Sequence, residues 1–392
     1  MAKYRIFPIQ DAFISTERST ANTGRDELLE VGGYPTSDSG QSLRSLIKFD
    51  EAEIKKVLED TAGVSYPIDV NTTPPFLAKL NIALNYANEL PINYTLDAHP
   101  VADQWDEGTG KFGDVPVNKT GCSWINRLAG TNHPWTTTPQ QVTTASGTGF
   151  TLEVNELHTT SSFKTGLTGG GSWYYTTGSN PTVLSGSQSF NKNSSHDVNI
   201  DVTKATMYMT NGFINNNGFI LKAEDSIEFN ESSSVRLKYY GEDTNTIYPP
   251  FLELQWSDYS HTSSLQEITS PDVVVSVKNN KGKYVDEGKQ RFRLHVRPEN
   301  PTRTFTTGSA YTVNHTLPTG SFWGLRDENT EEMVFDYDTY TKISADNTSN
   351  YFDVYMDGLQ PERYYRILIK TEIDGTTTVV DNNQVFKVVR NG

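Results

Sequence analysis

Cysteine is almost missing from this 392-residue chain: Cys122 is the one instance, so no intrachain disulfide can brace the fold. With no histidine close in sequence to activate it, Cys122 reads as a small buried apolar residue rather than a nucleophile. Basic runs are missing too. The net charge of -15, from 33 Lys+Arg against 48 Asp+Glu, disfavours electrostatic binding to nucleic acid or to an anionic membrane. No stretch approaches the ~20 apolar residues of a membrane span, and the opening MAKYRIFPIQDAFIS has no apolar core of a secretion signal. A soluble product made in the cytoplasm is the expectation, and the sequons at Asn93, Asn118 and Asn314 then read as by-products of a Ser/Thr/Asn-rich sequence.

Catalytic motifs are equally scarce. There is no Gly-rich phosphate loop, no G-x-S-x-G elbow and no H-E-x-x-H pair, and the seven histidines are scattered. No catalytic residue, metal centre or cofactor is therefore expected. The densest acid cluster, DQWDEGTGKFGD (103–114), is a charged turn or, less simply, a Ca²⁺ loop built on Asp106 and Glu107. As neighbours on an extended chain these two carboxylates point to opposite faces, which argues against their flanking one glycosidic bond.

What the chain does have is strand material: 20 Tyr, 18 Phe and 29 Gly favour strands and turns over long helices. Period-2 apolar patterns predict strands over 4–15, 27–33, 44–50, 78–88, 218–225, 234–241 and 251–257. One clear helix is predicted over 51–60, with Ile54, Val57 and Leu58 on its inner face. In DVNIDVTKA (197–205), Asp201 or Thr203 can start a short helix, and TMYMTNGFINNNGFILKAED after it reads as turns into a strand. From about 131 to 195 Thr, Ser, Gly and Asn dominate, so this stretch is expected to be an exposed insert. A polar boundary at 258–270 separates a domain over 1–260 from one over 271–392. The second is predicted to place strands at 272–279, 290–298, 331–340, 351–358, 363–373 and 384–390, the pattern of an immunoglobulin-like β-sandwich.

Aromatic residues beside the insert are the remaining site candidates. Trp124, Trp135, Trp173, Tyr174 and Tyr175 are expected to contact a ligand or partner, because flat apolar rings with a polar rim suit sugars and protein interfaces alike. For Trp124 the competing reading is packing beneath the loop. Trp256 and Trp323 read as core or edge residues.

The order of IQDAFIS, NTGRDELLEVGG, LRSLIKFD, AKLNIAL, DQWDEGTGKFGD, GCSWINR, VNIDVTKA, NNNGFILKA and YPPFLELQW across residues 1–258 resembles the DNRLRE-type jelly-roll domain, whose relatives include alginate-type carbohydrate-binding modules. The resemblance implies a jelly-roll β-sandwich in which RSLIKFD is a core strand and Asp201 is a helix cap rather than a catalyst. The ending YMDGLQPERYYRILIKTEIDGTTTVVDNNQVFKVVR (355–390) resembles structural virion proteins of tailed bacteriophages, especially marine contractile-tailed ones. Together these imply an all-β, non-enzymatic virion component on the neck or collar, tail or capsid exterior. It would bind other virion proteins, neither nucleic acid nor membrane, in multiple copies around a symmetric ring. The alternative is a carbohydrate-binding module adhering to polysaccharide.

Overall fold

Alternating apolar and polar residues of β-branched and aromatic type are best satisfied as paired strands, with each apolar face covered. The computed structural model describes residues 2–391 apart from 36–39, 71, 89, 92, 144–148, 156–167, 176–183, 192, 230–233 and 303–308. The chain is all-β and forms two compact units, Ile6–Glu253 and a second made of Met1–Arg5 with Leu254–Gly392. Among the described residues no helix is long and apolar enough to cross a membrane.

Two organisational expectations change. The first five residues go with the C-terminal unit, where Lys3 pairs with Asp338 and Tyr4 packs on Tyr355 with ring centres 6.1 Å apart. The polar segment at 258–270 is also part of that unit rather than a free boundary. Its backbone is hydrogen-bonded at Thr262 to Ala345 and at Ile268 to Thr316, both at 2.9 Å, and Ile268 enters the core.

The N-terminal unit is a jelly-roll-like sandwich. Its large antiparallel sheet runs in the order Gly186–Asn191, Asn93–Pro100, Phe219–Ala223, Gly40–Phe49, Leu28–Pro35, Val235–Tyr240 and Leu84–Asn88, with Pro8–Ser15 also paired to Gly40–Phe49. Gly40–Phe49 contains RSLIKF, so this stretch is the core strand that the sequence predicts. Phe76–Ile82 and Val198–Asp201 pair in a second layer. The predicted strand over 78–88 is thus two strands in different layers. Gly186–Asn191 is a further correction: the end of the supposedly exposed insert is an integral edge strand, paired with Asn93–Pro100 throughout.

Both predicted helices exist, with altered ends. Glu51–Lys56 is α-helical, capped by Asp50 accepting from the Ala52 N–H at 2.9 Å, and continues as a π-turn over Val57–Thr61. The helix after DVNID spans Thr203–Thr210 and so takes in TMYMT, which period reasoning gave to turns. Thr206 and Thr210 satisfy their hydroxyls on the helix's own carbonyls at Val202 and Thr206, which lets a threonine-rich helix be buried. Asp201 sits just outside the helix and accepts from the Thr203 N–H at 2.9 Å and hydroxyl at 2.6 Å, a capping role rather than a catalytic one.

The C-terminal unit is an immunoglobulin-like sandwich. One sheet is ordered Val273–Val277, Lys289–Pro298, Asn350–Tyr355, Ser344–Ala345; the other Lys283–Val285, Thr376–Val389, Tyr364–Ile373, Phe322–Asp327, Met333–Phe335. Aromatics stack through the middle, Phe292 on Phe352 at 5.5 Å and Trp323 on Phe352 at 5.1 Å, which makes Trp323 a core residue as expected. Only Met333–Phe335 of the predicted 331–340 strand is extended; Asp338 instead caps a 3₁₀ turn at Thr339–Thr341. The strand expected at 384–390 starts much earlier, at Thr376.

Candidate functional site

Where Pro8–Ser15, Gly40–Phe49 and Phe219–Ala223 lie side by side the large sheet is buried on both faces, and this decides where the aromatic residues go. Phe13, Ile47 and Leu221 point into the sandwich, while their neighbours Ala12, Ile14, Leu46 and Ile220 line the opposite face. An apolar outer face needs a cover. It is supplied by Trp105, Trp124, Trp135 and Trp173, together with Val101 and Cys122, which pack on it as a second core. Burying an indole removes about 200 Å² from water, or about 5 kcal/mol at 25 cal/mol per Å² as an upper figure.

The expectation that these rings stand exposed is therefore overturned for Trp124, Trp135, Trp173 and Tyr174, all buried, with Trp173 only 6% exposed. Tyr175 is half-buried and pairs with Glu153 in a two-residue strand. For Trp124, packing beneath the loop is what the structure has. Much of the insert, 144–148, 156–167 and 176–183, lies outside the described residues.

A buried ionic group sits in the middle of this aromatic cover. Arg44, fully buried, donates to Glu228 and to the Gly170 carbonyl, and its guanidinium lies 4.8 Å from the Trp124 ring centre and 4.9 Å from that of Trp173. Lys222 approaches the same Glu228 at 3.5 Å and also pairs with Asp225 at 2.8 Å. His99 lies 5.7 Å from Trp173; burial, aided by Lys222 and Arg44, holds it neutral, with its pKa down at about 3. The loops are tied down by Asp103, which accepts from the Thr136 N–H and hydroxyl and from Ser172, and by Asn155, which accepts from the Trp173 N–H at 2.7 Å.

Gly170 threads between these groups at φ +92°, and an added Cβ would stand 2.5 Å from Arg44 Nη1 and 2.8 Å from Trp124 Cζ2. Gly170→Ala is expected to cost at least about 1–3 kcal/mol in backbone strain alone. A urea unfolding curve checks this; an unchanged midpoint would mean the strap does not lie on Arg44.

The acid cluster rearranges as well. Asp106 and Glu107 do not converge: the Glu107 carboxylate accepts from the Asp11 N–H at 3.1 Å, while the Glu242 N–H donates to Asp11. Asp11, Glu107 and Glu242, with Asp243 nearby, thus share one patch, and Arg25 reaches Asp243 at 3.1 Å. Burial first, then the neighbouring carboxylates, push Asp11 up to about 8 and Glu242 up to about 7. Among the described residues no group of three His, Cys, Asp or Glu side chains is arranged to hold a metal ion. Cys122 is buried, as a small apolar residue is expected to be, and burial pushes its thiol up.

Asp11, Arg44 and Glu228 are the residues that sequence reasoning passed over. The signal for the first two was a charge set within an apolar strand, IQDAFIS and SLRSLIKF, where both faces are covered. No protein-family model matches this chain, and none of the curated proteins matches it.

Proposed function

We propose that this protein is a non-enzymatic structural component of a tailed-bacteriophage virion, attached at the neck or collar, tail or capsid exterior and acting through protein–protein contacts. The observation that carries the reading is the distribution of its apolar groups. The loop indoles are committed to internal packing, whereas the exposed apolar residues stand on loop tips and strand edges, as at Val115, 91% exposed, and Val379, 50% exposed. Such edges and tips recognise other proteins by strand pairing and side-chain burial. The resemblance read in the sequence of residues 355–390 is what points to a phage particle, and a net charge of -15 suits a surface that does not adhere to packaged DNA.

Immunogold labelling of particles from the source culture tests this. Label confined to one place on a phage is expected. Label on cell surfaces or in free medium, with particles bare, would overturn the proposal in favour of polysaccharide adhesion.

A further inference from the structure

We infer that the Thr376–Val380 edge of the C-terminal unit is a pairing site for a second copy of this chain, strand against identical strand. The segment belongs to a long hairpin, Tyr364–Ile373 with Thr376–Val389, closed by Asp374-Gly375 at φ 49° and 72°, the two left-handed residues of a tight hairpin turn. On its outer side the Thr376–Val389 strand is covered only at its end, where Lys283–Val285 pairs with Lys387–Val389. Farther up, a side-chain amide takes the place of a strand, Asn280 donating to the Val385 carbonyl, while the strand's own Asn382 donates to the Val275 carbonyl. Beyond Asp381, among the described residues, Thr376–Val380 has a neighbouring strand on one side alone. Half of its backbone N–H and C=O groups point to the open side.

Open edges are ordinarily blunted by lysine, proline, an inward charge or a bulge. Thr376-Thr377-Thr378-Val379-Val380 itself has none of these; it is uncharged, β-branched throughout and regularly paired to Ile369–Ile373, the hairpin's register irregularity starting just beyond it, between Val380 and Gln384. The sequence is also complementary to itself. An antiparallel two-fold arrangement with Thr378 on the axis sets Thr377 against Val379 and Thr376 against Val380, pairs of the kind that stabilise sheets. In that register Asp381 meets Gly375, so no like charges oppose one another, and Asp381 is already neutralised by Arg366 at 3.2 Å and Arg326 at 3.6 Å. A register displaced until Asp381 faced its own copy would be repelled. Pairing also covers Val379, which stands half exposed without it.

Five residues of strand fall well short of the about 1,000 Å² that a stable interface needs, and two chains of charge -15 repel at a distance. The expected contact is therefore weak, exchanges rapidly and tightens with salt. Disulfide trapping in the full-length protein reads such a contact. The native Cys122 is buried, so an introduced thiol is the reactive one. Directly opposed residues lie about 5 Å apart at Cα, within disulfide range.

Thr378→Cys should form a disulfide-linked dimer under mild oxidation several-fold faster than Thr376→Cys, which faces Val380 of the other copy. The rate should rise with salt and fall several-fold when Val379→Lys is added to the same chain. Equal rates for the two cysteine variants, or a Thr378→Cys rate unmoved by Val379→Lys, would overturn the inference. Either result stands apart from where the protein resides on a particle.

Discussion

Arg44→Met is expected to destabilise the N-terminal unit by about 3–5 kcal/mol. Arg44 and Glu228 are both fully buried, and each holds the other in a place that water does not reach. Removing the guanidinium leaves Glu228 with Lys222 at 3.5 Å as its one remaining cation, and takes the positive charge away from the faces of Trp124 and Trp173. The larger part of the loss comes from the abandoned carboxylate, not from the missing attraction. That distinction is testable, because replacing both members with apolar residues abandons nothing. Arg44→Met with Glu228→Leu should recover most of the lost stability, since Lys222 retains Asp225 at 2.8 Å. Tryptophan fluorescence during urea unfolding is the natural probe, because four of the six tryptophans, Trp105, Trp124, Trp135 and Trp173, share the cluster on this face, and Trp124 and Trp173 lie against the guanidinium. A loss below about 1 kcal/mol for the single change would be surface-pair behaviour and would mean that the loop cover admits water to Arg44.

How much of this was legible in the sequence depends on which interactions are local. The strands at 44–50, 218–225 and 363–373 were readable because alternation and bounding turn residues are properties of a few neighbours. The helix at Glu51–Lys56 was readable for the same reason, although its Asp50 cap was not read. The full extent of Thr203–Thr210 was missed because its threonines, methionines, Ala205 and Tyr208 leave Lys204 as the one charged residue; that helix is buried almost all round, so no periodicity marks it. The tryptophans were misplaced for a deeper reason. Gly- and Ser-rich flanks describe the loops that hold Trp124 and Trp173 correctly as loops, but the outer apolar face beneath them is assembled from Ala12, Ile14, Leu46 and Ile220 on three separate strands. A half-buried strand and one covered on both faces differ only in whether the alternate residues are polar. Leu43-Arg44-Ser45-Leu46, with one charge among them, imitates the half-buried kind. The carboxylate patch was equally out of reach, since Asp11, Glu107 and Glu242 are brought together from positions 96 and 231 residues apart.

The two units are expected to respond to pH with opposite signs, because one buries Asp11 beside other carboxylates and the other pairs its acids with arginine. In the C-terminal unit the Arg293 fork holds Asp346 down at about 2, Arg366 lowers Glu328, and for Asp353 burial opposes ionisation but Arg291 outweighs it. A lowered acid stabilises the fold above its unfolded pKa of about 4 and loses that contribution as pH falls through the folded value. This unit should therefore weaken below about pH 4. In the N-terminal unit Asp11 is raised to about 8 and Glu242 to about 7. The folded form then keeps protons that the unfolded chain releases at about pH 4, so stability is full at low pH and declines as pH rises to 8. His99, lowered to about 3, works the other way, but only below about 6.5, where the unfolded imidazole takes up its proton. Above that pH the acids act alone. At about 1.4 kcal/mol per proton per pH unit, moving from pH 6.5 to 8 should cost the N-terminal unit about 1.5 kcal/mol through the buried Asp11, solvent screening the exposed Glu242. Asp11→Asn should remove most of that slope, being close to wild type at pH 5 and clearly more stable at pH 8.5, with the urea midpoint again read by tryptophan fluorescence. A wild-type midpoint that is flat between pH 6.5 and 8.5, and unmoved by Asp11→Asn, would show that Asp11 is already ionised in the folded unit. The buried patch would then be open to solvent, and the strand Pro8–Ser15 would owe its place to its neighbours Ala12, Phe13 and Ile14 alone.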